Sequence, residues 1–221
     1  MANLMQMGIL ERTHGFLPVD KPSGIAFTTI VKTVKRKFNL VKVGHGGSLE
    51  TMASGLVMLL INDANKFVDR VMAADREYTG TVRFGLKTDT GDINGRPLEG
   101  ASSQVPNLEQ FKGDVFLAEP RYAAIRKESS VQYEIVDTGV HPQTLSHVYK
   151  INFEGASFSL RSDKNLIVRA LIDSMGFSLE SLRREKIGKF NVTDAIKFDK
   201  LLEMEIGEVA SCIIPARDVL Q

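Results

Sequence analysis

Two side chains in one glycine-rich stretch could move protons: the imidazole of His45 and the carboxylate of Glu50. Imidazole titrates near neutrality, and a carboxylate serves as nucleophile or general base. They lie in Gly44-His45-Gly46-Gly47-Ser48-Leu49-Glu50-Thr51-Met52-Ala53-Ser54-Gly55, which holds four glycines in twelve residues. That density breaks helix and strand, because glycine opens backbone conformations closed to other residues. Val41 and Val43 precede the stretch, and Leu56 to Ile61 follow it as an apolar run. A loop held between buried elements displays its groups rigidly. Two readings fit the residues alone: an acid–base site, or a glycine-rich connection with a solvated acid.

Several elements must position this loop. Phe16-Leu17-Pro18-Val19 reads as a short strand running into the turn Asp20-Lys21-Pro22-Ser23-Gly24. Phe27, Ile30, Val31, Val34 and Phe38 recur at helical spacing, with Lys32, Lys35, Arg36 and Lys37 on the other face. Leu56 to Ile61 is a buried run, and Asn62 to Val71 reads as helical. Tyr78, Gly80, Val82, Phe84 and Leu86 alternate with Thr79, Thr81 and Arg83, the pattern of a half-buried strand. The loop Thr88 to Gly95 carries two aspartates. It lacks the terminal bidentate glutamate of a calcium loop, so a hydrogen-bonded turn is the stronger reading.

The rest of the chain predicts a short helix over Val105 to Gly113, a strand over Pro120 to Glu128 and a helix over Val131 to Thr138. A hairpin is expected around Glu154-Gly155-Ala156, with Tyr149, Ile151 and Phe153 sharing a face. A helix over Leu166 to Met175 should close at Gly176. Ser178 and Thr193 read as caps of helices running to Arg184 and Met204. There is no repeat, low-complexity tract or linker, which points to one α+β domain with a mixed sheet.

Composition narrows the function classes. A chain of 221 residues with 43% hydrophobic and 25% charged residues is ordinary for a globular protein. No apolar run approaches the ~20 residues of a membrane-spanning helix. The single cysteine, Cys212, rules out an internal disulfide framework and offers no metal cluster. No basic signal peptide opens the chain, whose first basic residue is Arg12. The compartment stays open between cytoplasm and an organelle such as the mitochondrial matrix, with any presequence removed. The net charge of +1 does not advertise nucleic acid, but the basic residues are segregated. Lys32, Lys35, Arg36, Lys37 and Lys42 form one cluster, and Arg183, Arg184, Lys186 and Lys189 another. Such segregation creates a local positive face on a nearly neutral protein.

Six blocks then resemble one family in register, across about residues 14 to 217. They are Val19-Asp20-Lys21-Pro22-Ser23-Gly24; the loop Val43 to Gly55; Tyr78 with Gly85-Leu86-Lys87-Thr88-Asp89-Thr90-Gly91-Asp92; Pro120-Arg121-Tyr122-Ala123-Ala124-Ile125-Arg126; Val168-Arg169-Ala170-Leu171-Ile172-Asp173-Ser174-Met175-Gly176; and Leu182-Arg183-Arg184 running to Gly188-Lys189-Phe190. In these the chain resembles the TruB family of pseudouridine synthases, which isomerise a uridine in the T-loop of transfer RNA. The resemblance implies a pseudouridine-synthase fold, a mixed and largely antiparallel sheet flanked by helices, with no cofactor and no metal. It implies an N-terminal extension over 1–13 and a catalytic domain over 14–221, without the family's C-terminal RNA-binding PUA domain. The RNA-gripping insertion between Gly139 and Ser146 reads as shortened.

Carried over by position, Glu50 stands at the catalytic aspartate and Tyr78 at the tyrosine that stacks on the target base. Arg169 stands at the arginine that pairs with the catalytic carboxylate. His45 matches a histidine that accommodates the flipped RNA, and Leu182 an apolar wall of the pocket. Lys21, Lys35, Arg36, Arg121, Arg126, Arg183 and Arg184 are the implied RNA contacts. Four positions depart where the chemistry is: the family reads aspartate-proline at Glu50-Thr51, and threonine and tyrosine at Leu166 and Ile167. The expectation is an RNA-binding protein with impaired isomerase activity in tRNA or rRNA maturation or assembly, with other proteins replacing the missing domain. The alternatives are an active uridine isomerase using Glu50, and a small-molecule enzyme using His45 and Glu50.

Overall fold

The computed structural model describes residues 13–118, 122–127, 130–135, 143–163 and 168–219, those of 122–135 as backbone only. In chain order the elements are strand β1 (Gly15–Lys21), helix α1 (Phe27–Lys37), β2 (Val43–His45), β3 (Ser54–Ile61), a 3-10 turn (Asn62–Phe67), α2 (Val68–Ala73) and β4 (Arg76–Arg83). They continue with β5 (Lys87–Thr88), β6 (Pro97–Leu98), a 3-10 turn (Leu108–Phe111), β7 (Gly113–Ala118), β8 (Tyr122–Lys127), β9 (Ser130–Ile135), β10 (Gln143–Glu154) and β11 (Ser157–Ser162). Then come α3 (Val168–Ser174), β12 (Ser178–Ile187), β13 (Phe190–Asn191), a 3-10 turn (Val192–Asp194), β14 (Ile196–Lys197), α4 (Phe198–Glu203), α5 (Ile206–Cys212), β15 (Ile214–Pro215) and α6 (Ala216–Val219). Helices and a mixed, mostly antiparallel set of strands make this an α+β protein, as the sequence pattern implies.

The chain divides into two compact units, residues 1–76 with 183–221, and residues 77–182. The first is built on the β1–β3 ladder, antiparallel from Gly15↔Ile61 to Lys21↔Gly55. Parallel partners lie on both sides: β14 beside β1, and the second half of β12 beside β3 through Arg183↔Ser54 and Arg184↔Gly55. Both faces of these central strands are covered, which is why Leu56 to Ile61 reads as an unbroken apolar run. Phe16, Leu56, Met58, Leu60, Ala64, Val71, Ile187 and Val192 form the core cluster. The apolar stripe of α1 is buried at Phe27, Ile30 and Val34, while its last turn carries Lys35, Arg36 and Lys37. Cations there oppose the negative end of the helix dipole.

The second unit is antiparallel through β7, β10 and β11, with the hairpin turn at Gly155 (φ 58°), a conformation glycine adopts without strain. Its apolar interior includes Val82, Ile151, Phe158, Leu160, Leu171, Ile172, Phe177 and Leu179.

Three sequence expectations are corrected, and one further helix is found. Residues 131–138 do not open as a helix, since Ser130–Ile135 is a strand pairing with Tyr122–Lys127; Val131, Tyr133 and Ile135 repeat every second residue. The segment after Ser178 is a strand to Ile187, because its inward positions include a buried arginine and the apolar marks left over mimic a helical spacing. Asp194 does not start a helix; one begins at Phe198. Helix α5 was not anticipated, although Glu205 and Glu208 lie three apart and form its capping box. The expected helix over 166–175 is observed from Val168, its first two residues lying outside the described ones.

Candidate functional site

The loop bearing Glu50 is held by a series of hydrogen bonds to its main-chain carbonyls. It begins as β2, and Gly46 N–H donates to Met58 O at 2.9 Å. The guanidinium of Arg184, 2% exposed, donates to Ser48 O (2.9 Å), Gly47 O (3.2 Å) and Leu56 O (2.8 Å). Buried Arg76 donates to Gly46 O (3.2 Å) and to the carbonyls of Val71, Met72 and Ala74. Three consecutive carbonyls of the loop, 46 to 48, therefore rest on two guanidinium groups. Planar forks with several donors suit this better than a single ammonium would.

The other flank of Glu50 is held by the Asp20–Gly24 turn. Lys21 is fully buried, and its ammonium donates to Pro22 O (2.9 Å), Ile25 O (2.9 Å) and Thr51 O (3.2 Å). Gly24 N–H also donates to Thr51 O (2.8 Å), and Ser23 Oγ–H to Met52 O (2.7 Å). Desolvation, with the nearby Arg184 cation adding to it, lowers the Lys21 pKa to about 8. Gly55 closes the loop at φ 106°, where a Cβ would lie 2.3 Å from Arg184 O. Only glycine permits both that conformation and that approach.

Glu50 itself is half-buried. His45 is exposed at one edge and packs its ring edge-on against Phe27, with centroids 4.7 Å apart. Its Nδ1 accepts from Gly47 N–H at 3.4 Å. Desolvation first, and the Arg184 cation second, hold its pKa below the usual imidazole value. A neutral ring that accepts at Nδ1 agrees with that direction.

In the second unit Tyr78 and Leu182 are buried on β4 and β12. Arg169, in the first turn of α3, pairs with Asp92 at 2.9 Å and donates to Thr90 O at 2.9 Å. The Thr88–Gly95 loop is a hydrogen-bonded turn: Asp92 Oδ1 accepts from Asn94 N–H (2.9 Å) and Thr90 Oγ–H (3.1 Å), and Asp89 Oδ1 from Arg96 N–H (2.8 Å). Its aspartates serve the turn and the arginine. Beside it opens a cavity of about 420 Å³ lined by Lys87, Asp89, Leu98, Phe116, Arg169 and Asp173. Nothing in the sequence marked Asp92 as the partner of Arg169 or Arg76 as a holder of the loop.

The implied RNA contacts are placed unevenly. Lys35 and Arg36 are exposed on α1. Arg183 is partly exposed and forms a bidentate pair with Asp20 (3.1 and 2.9 Å). Lys21 and Arg184 face inward, with their donors on carbonyls rather than toward solvent. The backbone of Arg126 lies in β8, opposite Val131. Arg121, Leu166 and Ile167 lie outside the described residues. Among the described residues, no group of three or more His, Cys, Asp or Glu side chains is arranged to hold a metal ion.

A family model described as "TruB family pseudouridylate synthase (N terminal domain)" matches residues 35–164. The chain is similar to tRNA pseudouridine synthase B of Aromatoleum aromaticum, 33% identical over 207 residues, covering 85% of this chain and 67% of that protein. It is also similar to tRNA pseudouridine synthase B of Azoarcus sp., at 32% identity over 89% of this chain and 73% of that one. In fold it matches a chain of a Cbf5-Nop10-Gar1 complex, with a TM-score of 0.65 and 22% identity, covering 96% of this chain and 62% of that one. An H/ACA RNP bound to a substrate RNA containing 2'-deoxyuridine gives a TM-score of 0.62 at 21% identity, over 96% of this chain and 61% of that one. On sequence and fold together, the chain belongs to the TruB family of pseudouridylate synthases.

Proposed function

We propose that this chain binds structured RNA, of the transfer or ribosomal class, and converts uridine to pseudouridine poorly or not at all. Uridine isomerisation requires the nucleotide to leave the stack and a carboxylate to act at the sugar or ring. Glutamate carries that carboxylate about one bond length, ~1.5 Å, farther from the backbone than aspartate. Displacing a reacting group by ~1 Å costs on the order of 100-fold in rate. A backbone shift could absorb the extra reach only if the loop were free to move. The observation that carries the reading is that it is pinned on both sides of Glu50, at Ser48 O by Arg184 and at Thr51 O by Lys21 and Gly24. Thr51, standing where the family has proline, also leaves position 50 without the restraint toward extended geometry. The tRNA specificity of the relatives supports the substrate class.

The test is pseudouridine mapping on a T-loop RNA incubated with the protein. The unaltered chain should form no detectable pseudouridine, and Glu50→Asp with Thr51→Pro should restore conversion. Adding Ile167→Tyr to that pair should help further, while Ile167→Tyr alone does little. Robust conversion by the unaltered protein, abolished in Glu50→Ala, would instead make it a working isomerase with a glutamate in the catalytic role.

A further inference from the structure

The outward face of the second unit carries a cluster of planar side chains outside the family's catalytic positions. Strand β10 alternates inward and outward until Val148, then presents two exposed residues in succession, Tyr149 and Lys150. The register explains this: Val148 pairs with Ser162 and Lys150 with Arg161, leaving Tyr149 as the extra residue of a bulge. Tyr149 therefore does not share an inward face with Ile151 and Phe153, as plain alternation suggests. Bulges re-aim side chains and recur beside functional sites.

The ring so re-aimed is 46% exposed and has two planar groups near it. The Arg161 guanidinium lies over it at 5.1 Å, and the His147 imidazole stands 4.7 Å away. His147 is held in place by Asp114 across the strand pair, Nδ1 to Oδ1 at 2.6 Å. Further along the same face, Phe116 (65% exposed) and Leu145 (46% exposed) sit directly opposite one another. The charges beside the tyrosine include two exposed cations, Lys150 and Arg161, and the carboxylate of Asp114 is engaged by His147.

We propose that this His147–Tyr149–Arg161 array is an auxiliary RNA-binding platform that stacks unpaired nucleobases flanking the structured element. It deepens the RNA-binding reading above and rests on it. Aromatic rings and guanidinium planes on an open sheet face are how proteins hold splayed bases, while nearby cations meet the phosphates. The charge pattern favours a polyanion over an acidic or apolar protein segment.

The experiment compares binding of the full chain to one structured RNA with and without a short single-stranded flank. The flank should tighten binding to the unaltered protein. Tyr149→Ala should lose roughly five- to 150-fold on the flanked RNA, the range for one stacked base, and change little on the unflanked one. Tyr149→Phe should keep the affinity, and Arg161→Lys should lose part of it. 5-Iodouridine in the flank should photocrosslink to the peptide bearing Tyr149 in the unaltered protein, which tests the contact even if a variant folds poorly. If the protein binds the structured RNA but ignores the flank, or the variants stay within twofold and no crosslink forms at β10, the platform is wrong and the RNA-binding reading stands. If the unaltered protein binds neither RNA, both fall.

Discussion

Arg183 and Arg184 are neighbours on one strand with opposite environments, so replacing each by methionine should give very different costs. Arg184 is buried and donates to three carbonyls. Removing it strands acceptors that a methionine cannot serve, at roughly 1–3 kcal/mol for each one left without a partner. Ser48 is exposed, so water can serve its carbonyl; the Gly47 and Leu56 carbonyls remain. The expected loss is about 2–6 kcal/mol, a large fraction of the ~5–15 kcal/mol that holds a typical domain. At about 2–4 °C per kcal/mol for a chain of this size, the melting temperature of Arg184→Met should fall by roughly 4–24 °C. Arg183 makes a partly exposed pair with Asp20, side chains 37% and 15% accessible, and such pairs are worth about 1 kcal/mol or less. Arg183→Met should shift the melting temperature by no more than a few degrees. Thermal and urea unfolding followed by circular dichroism measure both. Equal costs, or an Arg184→Met within ~1 kcal/mol of the unaltered protein, would refute the claim that this guanidinium carries the loop. The contrast also bears on binding: Arg183→Met probes an RNA contact at far smaller cost to the fold than Arg184→Met.

Two further perturbations test the same scaffold. The Lys21 pKa is lowered from 10.5 to about 8, so below pH 8 both states hold the proton and the native state bears the full burden of a buried charge. Between about pH 8 and 10.5 the unfolded state binds more protons, and stability should rise with pH by at most ~1.4 kcal/mol per unit. The rise should vanish in Lys21→Met, read as the difference between two urea-denaturation series, and an identical pH profile in the variant would contradict it. Gly55→Ala should cost well over 3 kcal/mol or prevent folding, since its Cβ would meet the Arg184 backbone at 2.3 Å. Gly24→Ala, also at positive φ but with nothing within 4 Å, should cost only ~1–2 kcal/mol. Comparable unfolding midpoints for the two variants would show that close approach does not matter at Gly55.

What was legible in the sequence follows from where periodicity and chemistry agree. Phe27, Ile30 and Val34 recur at helical spacing and are buried; Leu56 to Ile61 is an apolar run and is a central strand. The second half of β12 failed because Arg184 takes an inward position, and no pattern of apolar residues announces a buried cation. Lys21 and Arg184 read as RNA contacts for the same reason: a positive charge in a sequence carries no sign of whether it faces phosphate or carbonyl. Tyr149 was assigned to the wrong face because a bulge inserts one residue without altering composition. Asp92 looked like a turn residue, which it is, while its pairing with Arg169 joins segments far apart in the chain.

The ties on the Glu50 loop have a consequence for how such a protein can change over time. Arg184, Arg76, Lys21 and Gly24 all grip main-chain carbonyls, and every amino acid supplies one. These ties to the loop's main chain do not themselves depend on which side chain stands at positions 50 and 51. A lineage can exchange aspartate for glutamate, or proline for threonine, with little loss of folded protein, because reactivity and architecture are written in separate atoms. Gly55 has no such freedom, so drift in this loop is channelled toward the residues that carry the chemistry.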